Sequence, residues 1–162
     1  MILKAWHAWG TRCPERLHGM FAFAVWDANQ RSLFLARDRF GIKPLYWSED
    51  GGRLRFASST QALLAAGEVD TAIDPVALHH LFTLHAVVPA PRTILQGVRK
   101  LPPAHWMVVE ADGRRTEQAY WHLNATRPAE PWSEADWLAA IHDSLRSAVK
   151  KRSEVADVPV GV

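Results

Sequence analysis

The sequence predicts a layered α+β fold whose strands are covered on both faces, and three observations carry that prediction. Residues 20–26 are apolar on both strand faces, with Phe21, Phe23 and Val25 alternating against Met20, Ala22, Ala24 and Trp26. Turn residues at Asp27-Ala28-Asn29-Gln30, Asp50-Gly51-Gly52 and Asp112-Gly113 each separate two strand-like segments. Between these hairpins, apolar residues recur at helical spacing. A strand with two apolar faces has to lie inside a stack of layers, since water on either side would meet an unfavourable surface.

Taken in order, Ile2, Leu3, Ala5, Trp6 and Trp9 fall on a helical pattern that stops at Gly10, where a capping glycine belongs. This helix is short and lacks an N-cap, so it is expected to be the tail of a longer one. Cys13-Pro14-Glu15-Arg16-Leu17 predicts one helical turn. Residues 20–26 and 31–37 form the first hairpin, and Gly41 and Pro44 then break the pattern. Residues 46–48 and 54–57 form the second.

Residues 60–66 predict a short helix closed by Gly67. Asp74 caps the next, with Pro75 at its first position and Val76, Leu78, Leu81 and Phe82 directed toward a core. Residues 87–92 are extended because of their prolines, and residues 104–120 form a third hairpin. Composition shifts at residues 122–131, HLNATRPAEP, which read as a linker. Ser133 then caps a last helix with Asp136 three residues on, and Trp137, Leu138, Ile141, Leu145, Ala148 and Val149 form its expected buried stripe. Lys150, Lys151 and Arg152 suit the negative end of its dipole. Residues 157–162 read as the start of a buried strand.

Bulk properties narrow the function classes. The chain has 162 residues and a formal charge of +2, from 19 Lys and Arg against 17 Asp and Glu, which makes no case for nucleic acid as a partner. Cys13 is the single cysteine, so no internal disulfide forms and a reducing, cytoplasmic setting is expected. No signal-peptide pattern opens the chain, and no run of about 18 apolar residues predicts a helical membrane span.

Few residues read as chemistry. Cys13 is a candidate nucleophile or a half-buried structural thiol, and no patterned partner stands ready to lower its pKa. His79, His80 and His85 share no helix face and have no carboxylate at ligand spacing, so no metal site is expected. Arg37-Asp38-Arg39 beside Gly41 reads either as an anion site or as a loop pinned by pairing of Asp38 with a neighbouring arginine. The eight tryptophans are scattered and read as packing.

The words GMFAFAVWD, LFLARDRFGIKPLYW, LRFASSTQALL, GVRKLPPAHWMVV and DVPVGV, in this order, resemble the glutamine-dependent asparagine synthetase family. The resemblance implies an N-terminal-nucleophile αββα sandwich, with residues 1–121 as the C-terminal part of a glutamine amidotransferase domain. It makes residues 122–132 a linker and residues 133–162 the first helix and strand of an α/β ATP-pyrophosphatase domain.

The family's chemistry implies glutamine and a carboxylate as substrates, with ATP and Mg²⁺ as cofactors in the synthetase domain. An N-terminal cysteine thiolate releases ammonia from glutamine, and ammonia attacks the adenylated carboxylate. By the same resemblance the nucleophilic cysteine, the substrate arginine, the Asn-Gly oxyanion pair and the aspartate that holds the glutamine amine fall before residue 1. The pyrophosphate-binding loop is expected just after Val162. The chain is thus expected to be an internal piece, with a start codon assigned inside a truncated reading frame as the suggested origin, and with no catalytic residue, no complete ATP site and no metal site of its own.

Arg37, Asp38, Arg39, Gly41, Lys43 and Pro44 are placed in a loop near the active site or a domain interface. Ser58-Ser59-Thr60 departs from the glutamate that most family members carry after the FAS word. With residues 73–104, this is more similar to the branch that amidates N-acetylglutaminylglutamine; a β-lactam synthetase-like relative is a further reading. A non-catalytic truncated module is the rival outside the ligases. No nucleic acid or membrane partner is expected, whereas exposed strand edges lead to the expectation of a homodimer or aggregate.

Overall fold

The computed structural model describes residues 1–127 and 129–154. Strand β1 (Ala22–Asp27) pairs antiparallel with β2 (Ser32–Arg37), from Ala22 opposite Arg37 to Asp27 opposite Ser32. The turn is closed by the Asp27 carboxylate, which accepts from the N–H groups of Asn29 and Gln30 at 2.9 and 3.0 Å. That local bond sets the register, and the register decides which apolar residues share a face.

Ahead of the hairpin lie helix α1 (Ile2–Trp9) and a 3-10 helix (Gly10–Arg16) that buries Cys13 and Pro14. After it come β3 (Tyr46–Asp50) and β4 (Arg53–Ala57), joined by Gly51-Gly52 at φ 53° and 78°. Two positive φ values in a two-residue hairpin match the twist of the strands, and glycine adopts them without a Cβ clash. Ser59 caps α2 (Thr60–Ala65) by accepting from Ala62 N–H at 3.3 Å. Asp74 caps α3 (Pro75–Thr83) by accepting from Val76 and Ala77 N–H, and its other oxygen takes the Arg92 guanidinium. Strand β5 (Arg99–Lys100) precedes β6 (His105–Val109) and β7 (Arg115–Ala119).

Two antiparallel sheets result, one in the order β1-β2-β6-β7 and one in the order β4-β3-β5. Strand alternation separates two cores. On one face of the larger sheet, Val25, Phe34 and Ala36 pack with Ala5 of α1 and Cys13, joined by Ile2, Trp6, Phe21, Phe23, Trp106 and Val108. On the other face, Leu35 and Met107 meet Leu45 and Leu101, with Trp47 and Leu54 contributed by the smaller sheet. Helix α2 packs on β3 and β4 and buries Leu63. Full burial of side chains such as Phe34, Leu35 and Leu101 stabilises by about 1.5–3 kcal/mol each. The doubly apolar strand is therefore explained by two cores, one on each side.

Several expectations need correction. Met20, which precedes β1, and Trp26, near the end of this edge strand, are both exposed. Helix α3 buries Ala77, while Val76, Leu78 and Phe82 are exposed, Phe82 at 79%. The helix docks through its small residue, since the close approach is possible only where no long side chain intervenes. Strand β5 was not legible in the sequence; two residues carry no period, and the strand exists only because the edge of β3 accepts it.

The chain divides into two compact units, one of Met1–Leu123 and a second that begins at Asn124. The second holds α4 (Glu134–Ser153), whose N-terminus has a complete capping box between Ser133 and Asp136. Trp132 and Trp137 flank it with ring centroids 4.8 Å apart, a hydrophobic staple across the cap. The expected stripe is present but not buried: Trp137, Leu138, Ile141, Leu145 and Val149 are exposed, and no described residue of their own unit buries them. The strand expected at 157–162 lies outside the described residues. Among the described residues, no helix is long and apolar enough to cross a membrane.

Candidate functional site: the 37–44 loop

Asp38 follows β2 directly and is 1% exposed. Its Oδ1 accepts from Phe40 and Ile42 N–H at 3.2 and 3.0 Å, and its Oδ2 from Lys43 and Phe21 N–H at 2.9 and 3.3 Å. Burial by itself would raise its pKa, yet these donors together hold the carboxyl below the ordinary carboxylate value. Asp38 forms no ion pair among the described residues, so the expected pairing with an arginine is replaced by a ring of backbone donors. The physical reason is distance: a carboxylate at the strand end lies within reach of the amides of its own returning loop.

The arginines are engaged with backbone carbonyls. Arg37 donates from Nε to Lys43 O at 2.8 Å, from Nη1 to Leu101 O at 2.7 Å and from Nη2 to Gly41 O at 2.7 Å. Its desolvation pushes its pKa down, and the charges of Asp38 and Tyr46 act the other way. Arg39 donates to Leu17 O and Glu15 O at 2.7 and 3.0 Å, tying the loop to the 3-10 helix. Gly41 sits at φ +63°, where a Cβ would come within 2.9 Å of Pro103 Cγ and 3.1 Å of Arg37 Cζ.

Two distant residues complete the knot. Ala104 N–H donates to Asp38 O at 2.9 Å, and the Tyr120 hydroxyl donates to Arg37 O at 2.7 Å. Burial pushes the Tyr120 pKa up to about 12. Lys100, whose Nζ donates to Val88 O at 2.7 Å, has its pKa pushed down by desolvation and then by the nearby Arg37 charge. Neither Ala104 nor Tyr120 stands out in the sequence, which gives no sign that residues about 65 and 80 positions away complete this loop.

The loop is thus a rigid, charge-satisfied frame with an apolar outer face. Phe40 and Ile42 are 65% and 57% exposed, and Phe40 meets Trp121 edge-on at 5.3 Å. The Lys43 side chain is exposed beside them, and Pro44 is half-buried.

The other candidates lie elsewhere. Cys13 is fully buried, and burial pushes its thiol up to about 11, so the thiolate is disfavoured at neutral pH. His79 and His80 hold their rings 6.2 Å apart on α3, and no group of three or more metal-ligating side chains assembles among the described residues.

A family model described as a glutamine amidotransferase domain matches residues 1–121, the stretch that contains both sheets and this loop. The chain belongs to the glutamine amidotransferase family. Among its relatives, asparagine synthetase [glutamine-hydrolyzing] 3 of Bacillus subtilis is 31% identical over 160 residues, covering 99% of this chain and 25% of that protein. Asparagine synthetase [glutamine-hydrolyzing] 1 of the same organism is 35% identical over 166 residues, covering 99% of this chain and 25% of that protein. Amidase chyE of Penicillium rubens is 30% identical over 164 residues, covering 100% of this chain and 24% of that protein. The chain thus spans about a quarter of the length of these amidotransferase relatives. Within the amidotransferase domain, the 37–44 loop joins β2 to β3 and so ties the larger sheet to the smaller.

Proposed function

We propose that this chain is part of an ATP- and glutamine-dependent amide-forming ligase of the glutamine-hydrolysing asparagine synthase type, and that residues 1–162 alone neither hydrolyse glutamine nor form an amide. The amidotransferase match over residues 1–121 carries the first half of the proposal. The state of Cys13 carries the second. A glutaminase of this family needs a thiolate with a free α-amine beside it, whereas Cys13 is internal, fully buried and shifted toward the neutral thiol. In the parent enzyme, glutamine supplies ammonia to a carboxylate activated elsewhere in the chain.

Two sheets facing each other across a core, with α1 against one and α2 against the other, support the αββα sandwich reading. The separate unit that begins at Asn124 supports a linker near 122–132 and a second domain from residue 133. ATP and Mg²⁺ belong to that second domain in this reading. The described residues hold no group of three or more metal-ligating side chains, and no chemical step through ATP or Mg²⁺ is assigned to this chain. The loop residues Arg37, Asp38, Arg39, Gly41, Lys43 and Pro44 frame the exposed Phe40 and Ile42, which suits an internal domain interface better than a substrate contact. The setting in this reading is cytoplasmic, in keeping with a single cysteine that has no disulfide partner within the chain.

Aspartate is the acceptor in this reading, and N-acetylglutaminylglutamine is the alternative. Ser59, the departure that suggested the alternative, serves here as the cap of α2, so acceptor choice rests with the synthetase domain. The experiment has two arms. Purified 1–162 is assayed for ammonia release from glutamine, and its appearance would restore Cys13 as a nucleophile. The parent protein is assayed with Mg-ATP, glutamine and each carboxylate, and no amide from either acceptor would refute the ligase reading.

A further inference from the structure

Outside the 37–44 loop, positive charge gathers at the end of α4 and in the segment that opens the chain. Residues 1–26 hold Lys4, Arg12 and Arg16 against the single carboxylate Glu15. The fold anchors this segment from beneath. Ala5, Cys13 and Pro14 are buried, and Arg39 grips the carbonyls of Glu15 and Leu17. With its underside fixed, the segment leaves Trp9, Arg12 and Arg16 exposed.

These side chains shape a groove. Two cavities of about 230 and 460 Å³ share Trp9 and Arg16. Ala8 and Arg12 complete the first, and Lys4, Leu17 and His18 contribute to the second. Trp9 is 48% exposed, and its indole joins no aromatic pair among the described residues. Arg12 has an exposed Glu15 at 3.6 Å, while Lys4 and Arg16 enter no ion pair among the described residues. Together the cavities have the size of an ordinary small-ligand pocket.

We propose that this groove binds a planar aromatic anion of the size of a nucleoside monophosphate, with the ring stacked on Trp9 and the anionic group between Arg12 and Arg16. The indole offers a half-exposed flat apolar face that joins no aromatic pair among the described residues. Two guanidinium forks lining one cavity match the oxygens of a phosphate and lose little freedom on engaging them. The first cavity needs only Ala8, Trp9, Arg12 and Arg16, all on the anchored segment. The site stands apart from the ligase reading and does not depend on it.

Equilibrium dialysis of the 162-residue chain against AMP tests this, because it reads bound nucleotide whatever the state of association. Saturable binding is expected, weakened about tenfold or more by Arg16→Gln and by Trp9→Ala, and weakened by added salt. Arg12→Gln, on an exposed turn, gives the same readout if either of those variants loses its native circular dichroism. Adenosine and orthophosphate should each bind more weakly than AMP. No binding up to about 5 mM AMP, unchanged binding in folded variants, or equal binding of adenosine or orthophosphate would each overturn the proposal.

Discussion

Tyr120 and Arg37, separated by 83 positions, are joined by a 2.7 Å hydrogen bond from the phenol to the backbone carbonyl. The bond fastens the residue after β7 to the last residue of β2, at the point where the charged loop leaves the sheet. It makes the C-terminal end of the first unit a structural member of the loop.

Replacing Tyr120 by Phe should destabilise the chain by about 1–2 kcal/mol, since a partly buried carbonyl loses its donor while the ring packing stays. The alkaline limb gives a second readout. Burial raises Tyr120 to about 12 and Cys13 to about 11, so their neutral forms are favoured in the native state. The stability they contribute is complete below their unfolded pKa values and is lost as pH rises toward 11 and 12. Urea midpoints between pH 8 and 11.5 should fall more steeply in the wild type than in Tyr120→Phe. Parallel curves would show that the phenol does not couple to folding.

Asp38→Asn should cost about 2–4 kcal/mol, because an amide group brings N–H donors of its own against amides that need an acceptor. The Asp38 pKa is depressed, so its contribution is present above the ordinary carboxylate range and lost as pH falls through the native value. Chemical denaturation at pH 7 and pH 3 measures both. A variant as stable as the parent at pH 7 would contradict the donor ring.

Gly41→Ala should destabilise by about 1–3 kcal/mol, from the left-handed φ and the contacts a Cβ would make with Pro103 and Arg37. Gly113→Ala is the control: it also has a positive φ, at +86°, but nothing lies within 4 Å of its Cβ position. The difference in denaturation midpoint between the two isolates the steric part. Equal losses would remove it.

Self-association is expected of the isolated chain. The edge strand β1, with Met20 and Trp26 exposed, and the apolar side chains Phe82, Leu138, Ile141 and Leu145 offer surface to other copies. Light scattering during size exclusion should show dimers or larger species. A clean monomer with a cooperative unfolding transition would refute this.

Local patterns carried much of the fold. Asp27 with its turn, Gly51-Gly52 between two β-runs, and Asp74-Pro75 before a helix act within a few residues, so their outcome is readable along the chain. The two faces of residues 21–26 were likewise legible, because a period of two needs no knowledge of the partner. The five ordered words also pointed to the glutamine amidotransferase family before any coordinates.

Tertiary structure decided the rest. Pairing of β2 with β6, recruitment of β5 to β3, and the bonds from Leu101, Ala104 and Tyr120 into the 37–44 loop link segments roughly 50 to 80 positions apart. Such contacts depend on which strand edges and carbonyls remain open after the local elements have formed, and residue type alone does not record that. The same reason explains α3 and α4, whose apolar stripes are visible in the sequence while their exposure depends on what lies against them. Arg37 and Asp38 show the division most clearly: their charges suggest a pair or an anion site, but the backbone groups within reach in the folded chain satisfy each one separately.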